Sequence, residues 1–157
     1  MKQLVLIRHA KSDFASAGMG DMEREITSAG GMMAEKKALE LKQFAIFPNL
    51  LMTSPAKRAL ETAEIFARTL DYPLDQIKIE PKLYESDVEI LLNLIQAIEA
   101  QIETAFIVGH NPSMSWLAMF LSNREDINLS PCGIFIIRFE MSTWNKIRET
   151  EGSVINL

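Results

Sequence analysis

The sequence predicts an α/β protein, a three-layer α/β/α sandwich in which a mainly parallel sheet carries helices on both faces. Three observations predict it. Short, wholly apolar runs rich in β-branched residues recur, as expected of strands buried on both faces. Stretches with helical apolar spacing separate them. The 157 residues, 48% hydrophobic and 24% charged, suit one domain over 1–157 with a sizeable core.

The elements follow in order. Leu4-Val5-Leu6-Ile7 is the first strand, followed by a polar loop to about Glu25. Thr27 or Ser28 caps a helix to about Phe44, with Ala34, Ala38, Leu41 and Ala45 at helical spacing and Gly30 and Gly31 weakening its start. Leu50 to Thr53 is a second strand. Ser54-Pro55 reads as an N-cap with proline at the first helical position, opening a helix with Ala56, Ala59, Leu60, Ala63, Ala67 and Leu70 on one face. Ile77 to Glu80 is a short strand. Asp87 caps a helix whose apolar positions run from Val88 through Leu91, Leu92, Ile95 and Ile98 to Ile102. Ala105 to Val108 is a buried strand, Pro112 to Ser122 a helix, and Ile134 to Phe139 a strand with which Trp144 to Arg148 is expected to form a hairpin.

Composition narrows the function. A net charge of −5 argues against general nucleic-acid binding, which rests on Lys and Arg neutralising phosphates. One cysteine, Cys132, precludes an internal disulfide and fits a reducing compartment. No stretch reaches the roughly 20 apolar residues of a membrane helix, and the apolar run near Met1 is too short for a secretory leader. The expectation is a cytoplasmic protein with no membrane partner.

In parallel sheets ligands bind beyond the carboxyl ends of the strands. The only two histidines lie there: His9, behind Arg8, after the first strand, and His110, behind Gly109, after the strand ending at Val108. Arg58 follows the second strand. The fold is expected to gather Arg8, His9, Arg58 and His110 at one rim, a set suited to phosphoryl transfer. Guanidinium groups hold phosphate oxygens through a planar fork, and neutral imidazole is a competent nucleophile near pH 7.

Motifs sharpen this. Arg8-His9-Ala10-Lys11-Ser12 resembles the Arg-His-Gly/Ala signature of the histidine phosphatase superfamily, Ser54-Pro55-x-x-Arg58-Ala59-x-x-Thr62 its second motif, and Gly109-His110-Asn111-Pro112 its third. Order and strand context agree from residue 4 to about 140. The short length and the Arg-His-Ala-Lys-Ser variant are most similar to SixA-type phosphohistidine phosphatases. The resemblance implies a phosphoglycerate mutase-like fold, in-line attack by His9, a phosphohistidine intermediate, and phosphoryl binding by Arg8, Arg58 and His110. It also implies no cofactor, and a phosphate- or sulfate-like anion in the site with a phosphohistidine protein, such as one of a bacterial phosphorelay, as partner. Ala10 departs from the commoner glycine, and its methyl group is expected to limit approach of the backbone to phosphate.

Glu85, after the third strand, resembles the acid position of larger superfamily members and is a candidate proton donor, with Asp13 and Asp21 as weaker alternatives. A phosphorylated imidazole leaves without a strong acid. Lys11, Ser12, Arg24 and Asn111 are further candidates for phosphate or substrate binding, although a surface ion pair with Asp21 or Glu23 is the preferred account of Arg24, and Lys11 and Ser12 fit a role in shaping the loop equally well.

Rival chemistries lack support. Cys132 and Arg138 match a Cys-x5-Arg spacing, but residues 133–137 read as a strand, which would separate sulfur from guanidinium by about 20 Å. No Gly-x-x-x-x-Gly-Lys loop occurs, two histidines without a carboxylate set do not make a zinc site, and no serine sits in a nucleophile elbow. The remaining alternatives are a small-molecule phosphomonoesterase of the same superfamily and a non-catalytic phosphate-binding module.

Overall fold

The computed structural model describes residues 1–148 and 150–157. Six strands form one sheet: β1 (Lys2–Arg8), β2 (Leu50–Thr53), β3 (Lys78–Ile79), β4 (Thr104–Gly109), β5 (Ile134–Phe139) and β6 (Ser153–Ile155), in the order β3-β2-β4-β1-β5-β6. The first four in that order are parallel, and β5 and β6 run antiparallel to their neighbours. Helices α1 (Ser28–Gln43) and α2 (Lys57–Thr69) cover one face, α3 (Val88–Gln96) and α4 (Ser113–Ser122) the other.

The alternation along β1 shows how sequence becomes layers. Val5 and Ile7 enter the cluster with Ala34, Ala38 and Leu41 of α1 and Ala59, Ala63 and Phe66 of α2. Leu4 and Leu6 face the opposite cluster, with Leu91, Leu92 and Ile95 of α3 and Leu117 and Leu121 of α4. A strand with two buried faces has no polar side, so its apolar run is unbroken. The small residues of α1 and α2 let the two helices lie close together over the sheet.

Thr27 caps α1 as expected, its hydroxyl accepting from Gly30 N at 2.9 Å. Gly30 is more than a weak helix former. A Cβ there would stand 2.5 Å from the Lys11 carbonyl oxygen, so the glycine lets α1 approach the loop after β1. Asp87 caps α3, accepting from Ile90 N.

Three expectations need correction. Helix α2 starts at Lys57 behind Ala56, so Ser54 and Pro55 precede it and Ser54 is not its cap. Helix α3 ends at Gln96, so Ile98 and Ile102 lie beyond it. The partner of β5 is Ser153–Ile155 rather than Trp144 to Arg148. Trp144 opens a 3-10 turn instead. Its ring is fully buried, and its indole N–H donates to Ile102 O at 2.8 Å, tying the turn beneath α3.

Candidate active site

Parallel pairing brings the strand ends into one row. Arg8 lies opposite Gly109, and Thr53 opposite Val108. Just past those ends, His9 N donates to Gly109 O (3.0 Å) and Ser54 N to Val108 O (3.1 Å). Residues between 54 and 101 positions apart in sequence are therefore held side by side by the sheet ladder itself.

The two imidazoles face each other, with ring centroids 5.1 Å apart and planes at 55°. Their hydrogen bonds fix their tautomers. His9 Nδ1 lies 2.7 Å from Ala10 O, which only accepts, so Nδ1 carries the proton and Nε2 keeps its lone pair. His110 Nδ1 faces Arg58 Nη2 at 3.5 Å, a group that only donates, so His110 carries its proton on Nε2 and gives it to Ser54 Oγ at 2.7 Å. Burial lowers His9 to about 4, with Arg58 and Arg8 lowering it further against the raising effect of the Ala10 carbonyl. Burial, then the neighbouring His9 and Arg58, lower His110 to about 3. Both rings are neutral at pH 7.

Arg58 is buried and fixed at its tip: Nη1 donates to Asp21 O (2.8 Å) and Nη2 to Asp21 Oδ2 (3.1 Å). Asp21 also accepts from Tyr84 OH (2.5 Å) and Arg24 Nη1 (2.9 Å). These donors, Tyr84 first, hold its carboxyl far below the usual carboxylate range, which removes Asp21 as an acid. Arg8 Nη1 donates to Leu129 O at 2.8 Å. The Nε atoms of Arg8 and Arg58 are buried without a hydrogen-bond partner. Two guanidinium groups beside two neutral imidazoles make a constellation suited to an anion.

The family comparison agrees. The sequence profile of the histidine phosphatase superfamily (branch 1) matches residues 4–114. The chain belongs to that superfamily. It is a phosphatase of the histidine phosphatase type, with the phosphoglycerate mutase-like α/β fold. A chloroplastic protein of Arabidopsis thaliana, uncharacterised by name, is 26% identical and aligns over 96% of this chain and 72% of its own. A structure assigned as phosphohistidine phosphatase SixA from Agrobacterium tumefaciens is 25% identical, with a TM-score of 0.77, 87% of this chain and 90% of that one covered. The protein histidine phosphatase SixA in complex with tungstate gives a TM-score of 0.82 at 20% identity, covering 98% and 94%.

Within this histidine phosphatase site the remaining expected residues fall into place unevenly. Arg24 is fully engaged, by Asp21, by Ser12 Oγ (2.8 Å) and by Asp13 O (2.7 Å), so Arg24 and Ser12 hold each other and the loop. Lys11 is exposed, and its backbone O accepts from Thr27 N. Asn111 braces the following loop, donating to Leu129 O (2.9 Å) and accepting from Ser115 Oγ (2.8 Å). Glu85 is exposed, one residue past Tyr84. The Ala10 methyl packs wholly inside the α1–α2 core, so it does not crowd the rim as the sequence suggests. Ala10 N donates to Thr62 Oγ1, which donates in turn to Arg58 O, linking the first motif to the second.

Sequence reasoning missed Ser54 as the partner of His110, and Tyr84, whose ring meets His110 edge-on at 5.7 Å. Ser54 looked like a helix cap because a serine before proline is one so often. Tyr84 carried no local signal. Cys132 lies at the rim, its N–H donating to His9 O, but burial pushes its thiol up to about 12 and β5 extends away from it. Among the described residues no group of three or more His, Cys, Asp or Glu is placed to hold a metal ion, and no helix is long and apolar enough to cross a membrane.

Proposed function

We propose that the chain hydrolyses protein phosphohistidine through a phosphoryl intermediate on His9. The observation that carries this reading is the tautomer of His9. Its Nδ1 proton is spent on Ala10 O, so the free lone pair on Nε2 is the nucleophile, and it stays free because the ring is neutral at pH 7. His9 Nε2 attacks phosphorus in line. The P–N bond of the substrate breaks as the new P–Nε2 bond forms, and the substrate imidazole leaves neutral if its second nitrogen already carries a proton. Water then attacks phosphorus, releasing inorganic phosphate and restoring His9.

Arg8 and Arg58 bind the phosphoryl oxygens and offset their charge. A dianion beside His110 favours its protonated form, so substrate arrival raises this imidazole and gives it a proton to share. A SixA relative is named for phosphohistidine, and the SixA structure that holds tungstate, a tetrahedral oxyanion, supports the same kind of ligand here. Nothing in the chemistry calls for a cofactor. In a single domain over 1–157, working in the cytoplasm, such an enzyme would reset a phosphorelay.

A second reading is hydrolysis of a small phosphate ester, with Glu85 protonating the leaving oxygen. Its exposed position on the loop that brings Tyr84 to His110 favours this. The deciding measurement compares kcat/KM on a phosphohistidine protein with a panel of small phosphate esters. The protein substrate is expected to win by at least tenfold, and an advantage for any ester would reverse the reading.

A further inference from the structure

Adjoining the phosphoryl site at Arg8 lies a cavity of about 510 Å³ lined by Arg8, Asn111, Trp116, Met119, Ile127 and Asn128. It shares Arg8 with the catalytic rim and no other member of the catalytic four. Among the described residues Arg8 is also its only charged wall residue, and one nitrogen of that group is already held by Leu129 O. A substrate with a second anionic group would find no cation there. The wall is instead apolar and amide, and it continues outward. Trp116 is 51% exposed, and Phe120, one helical turn further along α4, is 54% exposed. Helix α4 carries no charged side chain on any face. Half-exposed aromatic rings side by side are uncommon on a surface that only meets water, and they mark a contact surface.

We infer that this cavity and the Trp116–Phe120 ridge receive the uncharged surface flanking the phosphohistidine of a protein substrate. The inference rests on the proposed function. It commits to the substrate as occupant because Arg8 lines the cavity as well as the phosphoryl site: a molecule whose phosphoryl group is bound by that guanidinium has neighbouring atoms within reach of this wall. The surface therefore selects a protein carrying phosphohistidine over a small sugar or acid phosphate, by offering area and no charge.

The test is the specificity ratio, kcat/KM on a phosphohistidine protein divided by kcat/KM on phosphoramidate. In Trp116→Ala the ratio is expected to fall at least tenfold, and Trp116→Phe, which keeps an aromatic ring, is expected to recover most of it. Asn128→Glu, at an exposed wall residue, puts an anion into the cavity and is expected to lower the ratio as well; it serves if Trp116→Ala does not fold. A ratio equal to wild type in these variants, with wild type active on the protein, overturns the inference. So does loss of a wild-type dimer in Trp116→Ala at an unchanged ratio, which would assign the ridge to a second copy of this chain. A wild-type protein that hydrolyses phosphoramidate but not the phosphohistidine protein removes the proposed function first, and this inference with it.

Discussion

Arg58 and Asp21 grip each other at two points, the guanidinium giving one hydrogen bond to the backbone carbonyl of Asp21 and another to its carboxylate. Tyr84 and Arg24 pin the same carboxylate from other sides, so the loop after β1 is fastened to α2 and to the loop after β3. The cation proposed to hold phosphate is thus fixed in place by Asp21 before substrate arrives, and such preorganisation removes reorganisation cost from the transition state. Replacing Asp21 by Ala is expected to lower kcat/KM about tenfold to a hundredfold, the equivalent of one charge-assisted hydrogen bond of about 1.5–3 kcal/mol. Asp21→Asn, which keeps one acceptor, is expected to lose less. Steady-state kinetics check both, and a variant with wild-type kcat/KM would show that Arg58 holds its place unaided.

His9→Ala is expected to abolish turnover and to leave the protein unlabelled by a radioactive phosphodonor, while rapid quenching of the wild-type protein traps label on His9. Retained activity in this variant would rule out the covalent route.

The two buried imidazoles make a pH prediction with a definite sign. Unfolded histidine takes up its proton near pH 6.5, whereas the folded rings do so near 4 and 3. Between about pH 6.5 and 4 the unfolded chain binds more protons, so stability falls as pH is lowered through that window. Melting temperatures from pH 7 to 5 in phosphate-free buffer are expected to decline, less steeply in a His9→Gln variant. The acid limb of kcat/KM is expected near pH 4, where His9 protonates and loses its nucleophilic lone pair. A limb near 6.5 would mean the ring is hydrated in solution.

Glu85→Gln is expected to reduce hydrolysis of alkyl phosphates several-fold while changing phosphohistidine hydrolysis less, since only an alkoxide needs a proton to depart. Equal losses on both substrates would take the acid role from Glu85.

Gly30→Ala places a methyl group against the Lys11 carbonyl, a contact that must be relieved by moving α1 or the loop after β1. A loss of about 1–3 kcal/mol is expected from thermal or urea melting. Gly31→Ala is the control, because a Cβ there meets only side-chain methyls at 3.7 Å.

Local order and motif were legible in the sequence for physical reasons. A strand buried on both faces must be apolar throughout, and an amphipathic helix must repeat every 3.6 residues, so β1, β2, β4, β5, α2 and α3 announced themselves. The same rules placed His9 and His110 at strand ends, where a parallel sheet brings its ligands. Tertiary structure decided what depends on contacts between distant segments. Ser54 is a partner of His110 rather than a helix cap because the sheet ladder sets it across from β4. Asp21, Arg24 and Ser12 form a brace, and Tyr84 closes it, because two loops 63 residues apart meet over Arg58. Strand β6 stands where the hairpin was expected, while Trp144 is buried with its indole N–H on Ile102 O. Hydrophobic periodicity is written along the chain, whereas a polar side chain acquires its role from whichever donor or acceptor the fold sets within about 3 Å of it.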